Sequence, residues 1–167
     1  ITFVNGRETN DLWYTAILPV SKAESVGGKC LLVVSLQLFQ LLFSVPFAML
    51  RQGLHIANNP VGLDATPAWY GLGLLVYGVY DVLFLASFYK SGYKAGRAFL
   101  LASIPLGSMM VLVEATAHIP ALSWMDSVQP EDLLRQLPIL LAGIIGYAAL
   151  LFLAYRISVK RYEKVDL

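Results

Sequence analysis

The amino-acid sequence predicts an all-α integral membrane protein with four transmembrane helices. Of its 167 residues, 57% are hydrophobic and only 14% are charged, whereas soluble domains carry roughly 25% charged residues. Four apolar runs, at residues 30–50, 69–89, 98–117 and 137–155, can each cross a hydrocarbon layer about 30 Å thick at about 1.5 Å of helical rise per residue. We therefore predict one membrane domain over residues 29–167, preceded by a polar segment over residues 1–28.

The Lys and Arg residues predict the orientation of this domain. Ten of the twelve lie on one side of the predicted spans, and the opposite loops carry only Arg51 and Arg135. Loops rich in Lys and Arg stay in the cytoplasm, so both ends of the chain, including a tail over residues 156–167, are predicted to be cytoplasmic. The ten are Arg7, Lys22, Lys29, Lys90, Lys94, Arg97, Arg156, Lys160, Arg161 and Lys164.

The polar segment contains a short amphipathic helix, predicted over residues 10–18. Asp11 lies in its first turn, where a carboxylate complements the helix dipole. Leu12 and Trp13 recur with apolar partners at helical spacing on one side. Pro19 cannot continue the helix and is predicted to end it.

A second helix is predicted to begin at about Lys22 and to continue into the first span. Ser21 and Glu24 fit the capping box S-x-x-E, in which each side chain satisfies a backbone donor of the opening turn. At the other end of the chain, Pro130 followed by acidic residues predicts a short surface helix ahead of the last span. Ala142 and Gly146 within that span have the spacing of a close helix contact.

Four amide or carboxylate side chains lie within the predicted spans, namely Gln37, Gln40, Asp81 and Glu114. A charged side chain in mid-membrane costs roughly 2.5 to 3.5 kcal/mol, so none of the carboxylates should face lipid. Counted from the cytoplasmic boundary, Gln37 and Asp81 both lie about 12 Å deep. This shared depth predicts a hydrogen bond between them, which could serve helix packing or line a substrate path.

Glu114 lies about 25 Å deep, too far along the bundle to meet Asp81. His118 follows it at i, i+4, and this spacing predicts a local pair near the outer boundary. Two such ligands without a third do not make a convincing metal site, so no metal is expected.

The chemistry of an enzyme has little support in the sequence. Hydrolase and metalloprotease motifs are absent, and the GGKC stretch ending at Cys30 lacks the first Gly and the Ser or Thr of a phosphate loop. The basic residues border the membrane and carry no aromatic interleaving, so nucleic-acid binding is not expected. We therefore expect a protein that is not an enzyme, has no cofactor, and takes energy for any work from another chain or a gradient.

The order of these features resembles the permease subunits of bacterial type-2 ABC exporters, and more narrowly the small permeases encoded beside a separate ATPase. The resemblance covers essentially the whole chain. Its most specific parts are the stretch LPVSK at residues 18–22 and the turn YKSGYKAG at residues 89–96. Such permeases have six spans, with the Leu-Pro-Val segment after the second, so the four spans here correspond to the third to sixth. The resemblance thus implies that the first two spans are missing from this chain.

The resemblance further implies a bacterial plasma-membrane exporter. In such exporters two permease subunits, identical or different, surround the path and two cytoplasmic ATPase subunits drive it. A coupling helix between the second and third spans contacts the ATPase. By this resemblance it corresponds to residues 10–18 and the following turn, with Asp11, Leu12, Trp13, Tyr14, Leu18 and Pro19 as the contact residues.

Other interpretations of the same residues remain open. Trp13 and Tyr14 could anchor a helix in a groove of the ATPase, or rest on lipid headgroups at the membrane surface. The whole chain could be a membrane scaffold that does not transport, or a membrane enzyme using Asp81, Glu114 or His118. The sequence does not identify a substrate.

Overall fold

The computed structural model describes residues 19–54, 62–91 and 94–164. Each of its four α-helices is long and apolar enough to cross a membrane, and the described residues contain no strand. The predicted all-α membrane fold with four spans is therefore confirmed. The helices are α1 (Lys22–Gly53), α2 (Pro67–Lys90), α3 (Ala95–Ala115) and α4 (Pro130–Tyr162), and the 3₁₀ segments Thr116–His118 and Pro120–Met125 join α3 to α4.

The start of α1 is built as the capping box predicts. The backbone N–H of Ser21 donates to Glu24 Oε2 at 2.8 Å, and the backbone N–H of Glu24 donates to Ser21 Oγ at 3.2 Å. These two bonds satisfy donors that the first turn leaves without intrahelical partners. The helix therefore begins at Lys22, two residues after Val20.

The predicted separate surface helix before the last span is wrong. Residues from Pro130 onward form one continuous helix that ends at Tyr162. Pro130 occupies the first turn, where its missing N–H has no intrahelical partner to lose, and Glu131 and Asp132 complement the dipole there. Nothing in this turn stops the helix, so it continues directly into the membrane span.

Helix α2 is the centre of the bundle. In the 18-residue stretch of highest mean hydropathy, 50% of α2 is buried inside the protein, whereas only 6% of the corresponding stretch of α1 is buried. It packs most extensively on α4 and next on α3. Consequently α1 lies at the side of the bundle and leaves most of its apolar surface uncovered.

The contact between α2 and α4 is made at two glycines. A Cβ atom on Gly71 would lie 2.7 Å from Leu140 Cα, and one on Gly143 would clash with the carbonyl oxygen of Gly71. The two backbones therefore touch directly, as small residues allow in membranes. The small-residue contact predicted through Ala142 is wrong, because Ala142 is exposed, whereas Gly146 lies nearby against Leu75.

The two ends of the bundle differ in charge. We call the end that carries Lys22, Lys90, Arg97 and Arg161 the basic end, and the opposite one the acidic end. At the acidic end Arg51 forms an ion pair with Asp64, with 2.7 Å between Nη1 and Oδ1. The fully buried Thr66 caps α2 and donates to the carbonyl of Met125 at 2.8 Å.

Gln136 ties the loop of the acidic end to α4. Its side-chain Nε2 donates to the carbonyls of Trp124 and Ser127 at 2.7 and 2.9 Å, and its Oε1 accepts from the N–H of Ala68 at 3.4 Å. The side chain is fully buried. One amide thus satisfies three backbone groups where the chain folds back between α3 and α4.

Candidate functional site

A polar network joins three of the four helices inside the bundle. Gln37 of α1 donates through Nε2 to Asp81 Oδ1 of α2 at 2.9 Å. The hydroxyl of Tyr147 on α4 donates to Gln37 Oε1 at 2.6 Å. The hydrogen bond predicted between Gln37 and Asp81 is confirmed, and the amide of Gln37 uses both its ends to connect the helices.

Sequence reasoning missed Tyr147, although the signal that found the other two residues was available for it. Tyr147 lies eight residues before Tyr155, the predicted cytoplasmic end of the last span. Helical rise therefore puts it about 12 Å deep, as for Gln37 and Asp81. A tyrosine hydroxyl within a span needs a hydrogen-bond partner, as an amide does. The count of helical rise that paired Gln37 with Asp81 therefore applies to Tyr147 as well.

Burial sets the character of this network. Asp81 is 1% exposed, and its Oδ2 has no hydrogen-bond partner among the described residues. In a medium of low dielectric constant, hydrogen bonds to the other oxygen are strengthened and breaking them is expensive. The network is thus suited to holding α1, α2 and α4 in one arrangement.

Gln40 does not join this network. It lies on the exposed face of α1 together with Phe39 and Phe43, which are 66% and 60% exposed. An amide at this position is roughly 15 Å beyond the predicted start of the span at Cys30. The structure therefore separates the two glutamines of the first span, one turned into the bundle and the other turned away from it.

Glu114 lies near the acidic end and has partners different from the predicted one. Its Oε2 accepts from the N–H of Leu63 at 2.9 Å, and its Oε1 accepts from Trp69 Nε1 at 3.4 Å. No ion pair with His118 is present in the described part of the chain, so the predicted local pair is wrong. Both carboxylate oxygens of Glu114 already accept from other groups, and His118 lies in the 3₁₀ turn that follows the end of α3 at Ala115.

A small apolar cavity of about 170 Å³ lies between α1, α2 and α3. Glu114 and Trp69 close it toward the acidic end, and its walls include Leu41, Val76, Tyr77 and Met110. The apolar walls of this cavity can accept an apolar group, and the carboxylate of Glu114 lies at its edge. Within residues 19–54, 62–91 and 94–164, no three His, Cys, Asp or Glu side chains lie together in a way that could hold a metal ion.

The predicted coupling residues are for the most part outside the described residues. Asp11, Leu12, Trp13, Tyr14 and Leu18 all precede residue 19, where the description begins. Pro19 is described, and it lies exposed in a bend ahead of Ser21. The function predicted for this segment therefore stays a prediction.

Comparison with known proteins identifies the family. The family described as ABC-2 family transporter protein matches residues 7–163, a range that contains all four helices. No curated protein and no solved structure matches the chain significantly. The matched family implies an ABC ATPase as partner. The chain belongs to the ABC-2 family of transporter proteins and is a multi-pass membrane permease of an ABC transporter.

Proposed function

We propose that the chain is the permease subunit of an ATP-driven exporter of the bacterial plasma membrane. Two permease subunits, identical or different, enclose the substrate path, and separate ATPase subunits contact the coupling helix in the cytoplasm. Both ends of this chain are then cytoplasmic, in line with the concentration of Lys and Arg at the basic end. The strongest structural support comes from the exposed face of α1.

The exposed face of α1 favours a second subunit. Gln40 lies on this face in the middle of the span. Only 6% of the most apolar 18-residue stretch of α1 is buried inside the protein. A polar amide in contact with lipid tails has no partner for its hydrogen bonds. A second permease subunit against α1, with the path beside it, supplies protein or water to Gln40.

The polar network favours a packing function rather than a path for Asp81. A group that lines a substrate path must be reachable, whereas Asp81 is almost fully buried and its Oδ1 is bonded to Gln37. We therefore assign Gln37 and Asp81 to helix packing, and Gln40 and the apolar cavity beneath Glu114 to the path. The position of Gln40 is also an argument against a scaffold that does not transport, because a scaffold needs no polar group on this face.

The proposed coupling segment would act on α1, because the sequence connects the two closely. Only Pro19 and Val20 separate the predicted coupling helix from the cap at Ser21. Such a short connection cannot absorb much movement, so a displacement imposed by an ATPase would be passed on to α1. Trp13 and Tyr14 supply the aromatic anchors that a groove contact uses.

Two experiments on the full-length chain test this proposal. In the first, Trp13→Ala should reduce co-purification of the ATPase and its stimulation by the permease, with membrane insertion unchanged. Trp13→Phe keeps an aromatic anchor and serves as the control. Failure of any ATPase to co-purify with the unaltered chain, or equal stimulation by all three proteins, would remove the assigned coupling function.

The second experiment tests the subunit contact at α1. Gln40→Cys should form a cross-linked dimer with a short bismaleimide in native membranes, in a background where Cys30 is replaced by Ala. Leu112→Cys on α3 is an equally suitable control, because Leu112 is 68% exposed and belongs to a different helix. Adduct formation no greater for Gln40→Cys than for Leu112→Cys would contradict a homodimer contact at α1, because the reagent joins two thiols and the second thiol comes from another copy of the chain.

A further inference from the structure

A second cavity lies at the basic end, where the end of α2 and the start of α3 meet the last turn of α4. Its volume is about 250 Å³. Three cationic side chains, two hydroxyls and one apolar side chain line it, contributed by three different helices. The lining residues are Ser87, Lys90, Ser91, Arg97, Leu101 and Arg161.

No carboxylate lines this cavity, and Lys90, Arg97 and Arg161 form no ion pair within residues 19–54, 62–91 and 94–164. The ion pairs of Arg51 with Asp64 and of Asp132 with Arg135 lie at the acidic end. Three cations around one hollow repel one another, and an anion placed between them would relieve this repulsion. The cavity therefore favours an anionic ligand.

Arg161 is held in the wall of the cavity by the protein itself. Its Nη1 donates to the backbone carbonyl of Ala86 on α2. This bond uses one of the five N–H donors of a guanidinium. An Arg positioned in this way can bind the oxygens of a phosphate in a planar, two-point contact with little loss of side-chain freedom.

The apolar surface next to the cavity points to the rest of the ligand. Leu101 lines the hollow, Leu100 lies next to it on α3, and Ile104 continues from it toward the middle of the membrane; Leu100 and Ile104 are 66% and 73% exposed. A free phosphate would leave this surface unused. A lipid would place its headgroup among the cations and an acyl chain along the leucines.

We propose that this cavity binds the phosphate headgroup of an anionic phospholipid in the leaflet at the basic end. The site depends on the membrane location of the chain and not on export or on ATPase coupling. Basic pockets between transmembrane helices at the cytoplasmic side suit such headgroups, and juxtamembrane cations contribute roughly fivefold each to the binding of anionic lipid. By clamping the ends of α2, α3 and α4 together, the bound lipid would stabilise the turn between α2 and α3.

Native mass spectrometry of the full-length chain in detergent tests the site. The chain is titrated with phosphatidylglycerol, with phosphatidylcholine of the same acyl chains, and with inorganic phosphate. We expect phosphatidylglycerol to remain bound preferentially and Arg97→Gln to weaken it about fivefold. Lys160→Gln is the control, because Lys160 is an exposed cation beside Arg161 that does not line the cavity.

The arms of the titration separate the possible ligands. Equal binding of the two lipids, or equal losses for Arg97→Gln and Lys160→Gln, would overturn the proposal. Inorganic phosphate bound as tightly as phosphatidylglycerol would mean a phosphate site without a lipid, and would overturn it as well. The proposal would also be overturned if the Arg97→Gln protein still bound phosphatidylglycerol but no longer bound the ATPase, because the cavity would then be a contact site for another protein. If Arg97→Gln prevents folding, Arg161→Lys serves in its place: it keeps the charge but loses the planar two-point contact, and it should also weaken the binding of phosphatidylglycerol.

Discussion

The polar network predicts an unequal response to the loss of its members. Gln37→Leu removes both hydrogen bonds, those to Asp81 and to Tyr147, while keeping a side chain of similar length. Tyr147→Phe removes only one and leaves the contact with Asp81 in place. The two substitutions therefore separate the bridging function of Gln37 from the contribution of a single bond.

The magnitudes follow from the number of groups left without partners. Polar pairs between membrane helices contribute about 0.6 kcal/mol on average and up to about 1.7 kcal/mol, so Tyr147→Phe should lower the free energy of unfolding by about 0.6 kcal/mol. Gln37→Leu loses two such bonds and strands a buried carboxylate oxygen and a phenol, each unsatisfied group adding roughly 1 kcal/mol or more. We expect a total of about 2 to 3 kcal/mol for Gln37→Leu.

A double-mutant cycle measures whether the network couples these residues. Once Gln37 is Leu, the hydroxyl of Tyr147 has lost its partner, so adding Tyr147→Phe should change stability little or improve it. Unfolding of the purified chain in mixed micelles by titration with dodecyl sulfate, followed by circular dichroism, gives the four free energies. If the two single losses simply add in the double variant, the hydrogen bond between Tyr147 and Gln37 contributes nothing and the reasoning fails.

Three further predictions use the same unfolding measurement. Gly143→Ala should lower the free energy of unfolding by about 1 to 3 kcal/mol, because its methyl group would clash with Gly71, whereas Gly73→Ala, with nothing within 4 Å of its added Cβ, should be neutral or stabilising. Gln136→Leu should cost about 1 to 3 kcal/mol, since it strands buried backbone groups of the loop between α3 and α4. Ser21→Ala should cost about 1 kcal/mol and raise hydrogen exchange at the first turn of α1.

Each of these predictions has an outcome that contradicts it. Equal effects of alanine at Gly143 and at Gly73 would mean that α2 and α4 do not touch at Gly143. A neutral Gln136→Leu would show that water reaches the loop carbonyls. Unchanged exchange in Ser21→Ala would mean that Glu24 alone holds the start of α1.

The fold class and the depth of polar groups could be predicted from the sequence. Four apolar runs of sufficient length decide the number of spans, because an unpaired backbone is not tolerated in hydrocarbon. Counting helical rise from the span ends was enough to pair Gln37 with Asp81. The same count applied to tyrosines would have added Tyr147.

Two predictions were wrong because local sequence patterns did not show where a helix ends. The spacing of Glu114 and His118 predicts a pair only if the helix continues, and the chain turns to a 3₁₀ segment after Ala115. The acidic turn at Pro130 has the composition of a surface helix, but nothing after it ends the helix. The partners of Glu114 come from the loop before α2 and from Trp69, which are distant in sequence.

Length and hydropathy by themselves determined that the described part of the chain has four helices able to cross a membrane, and the count of helical rise paired Gln37 with Asp81. The rotation of each helix about its own axis was decided only by the tertiary structure. Gly143 rather than Ala142 meets Gly71, and Gln37 rather than Gln40 meets Asp81. The physical reason is that lipid tails are as apolar as leucine side chains, so hydropathy does not distinguish the face that meets lipid from the face that meets another helix. Packing of backbone on backbone and the pairing of buried polar groups make that distinction.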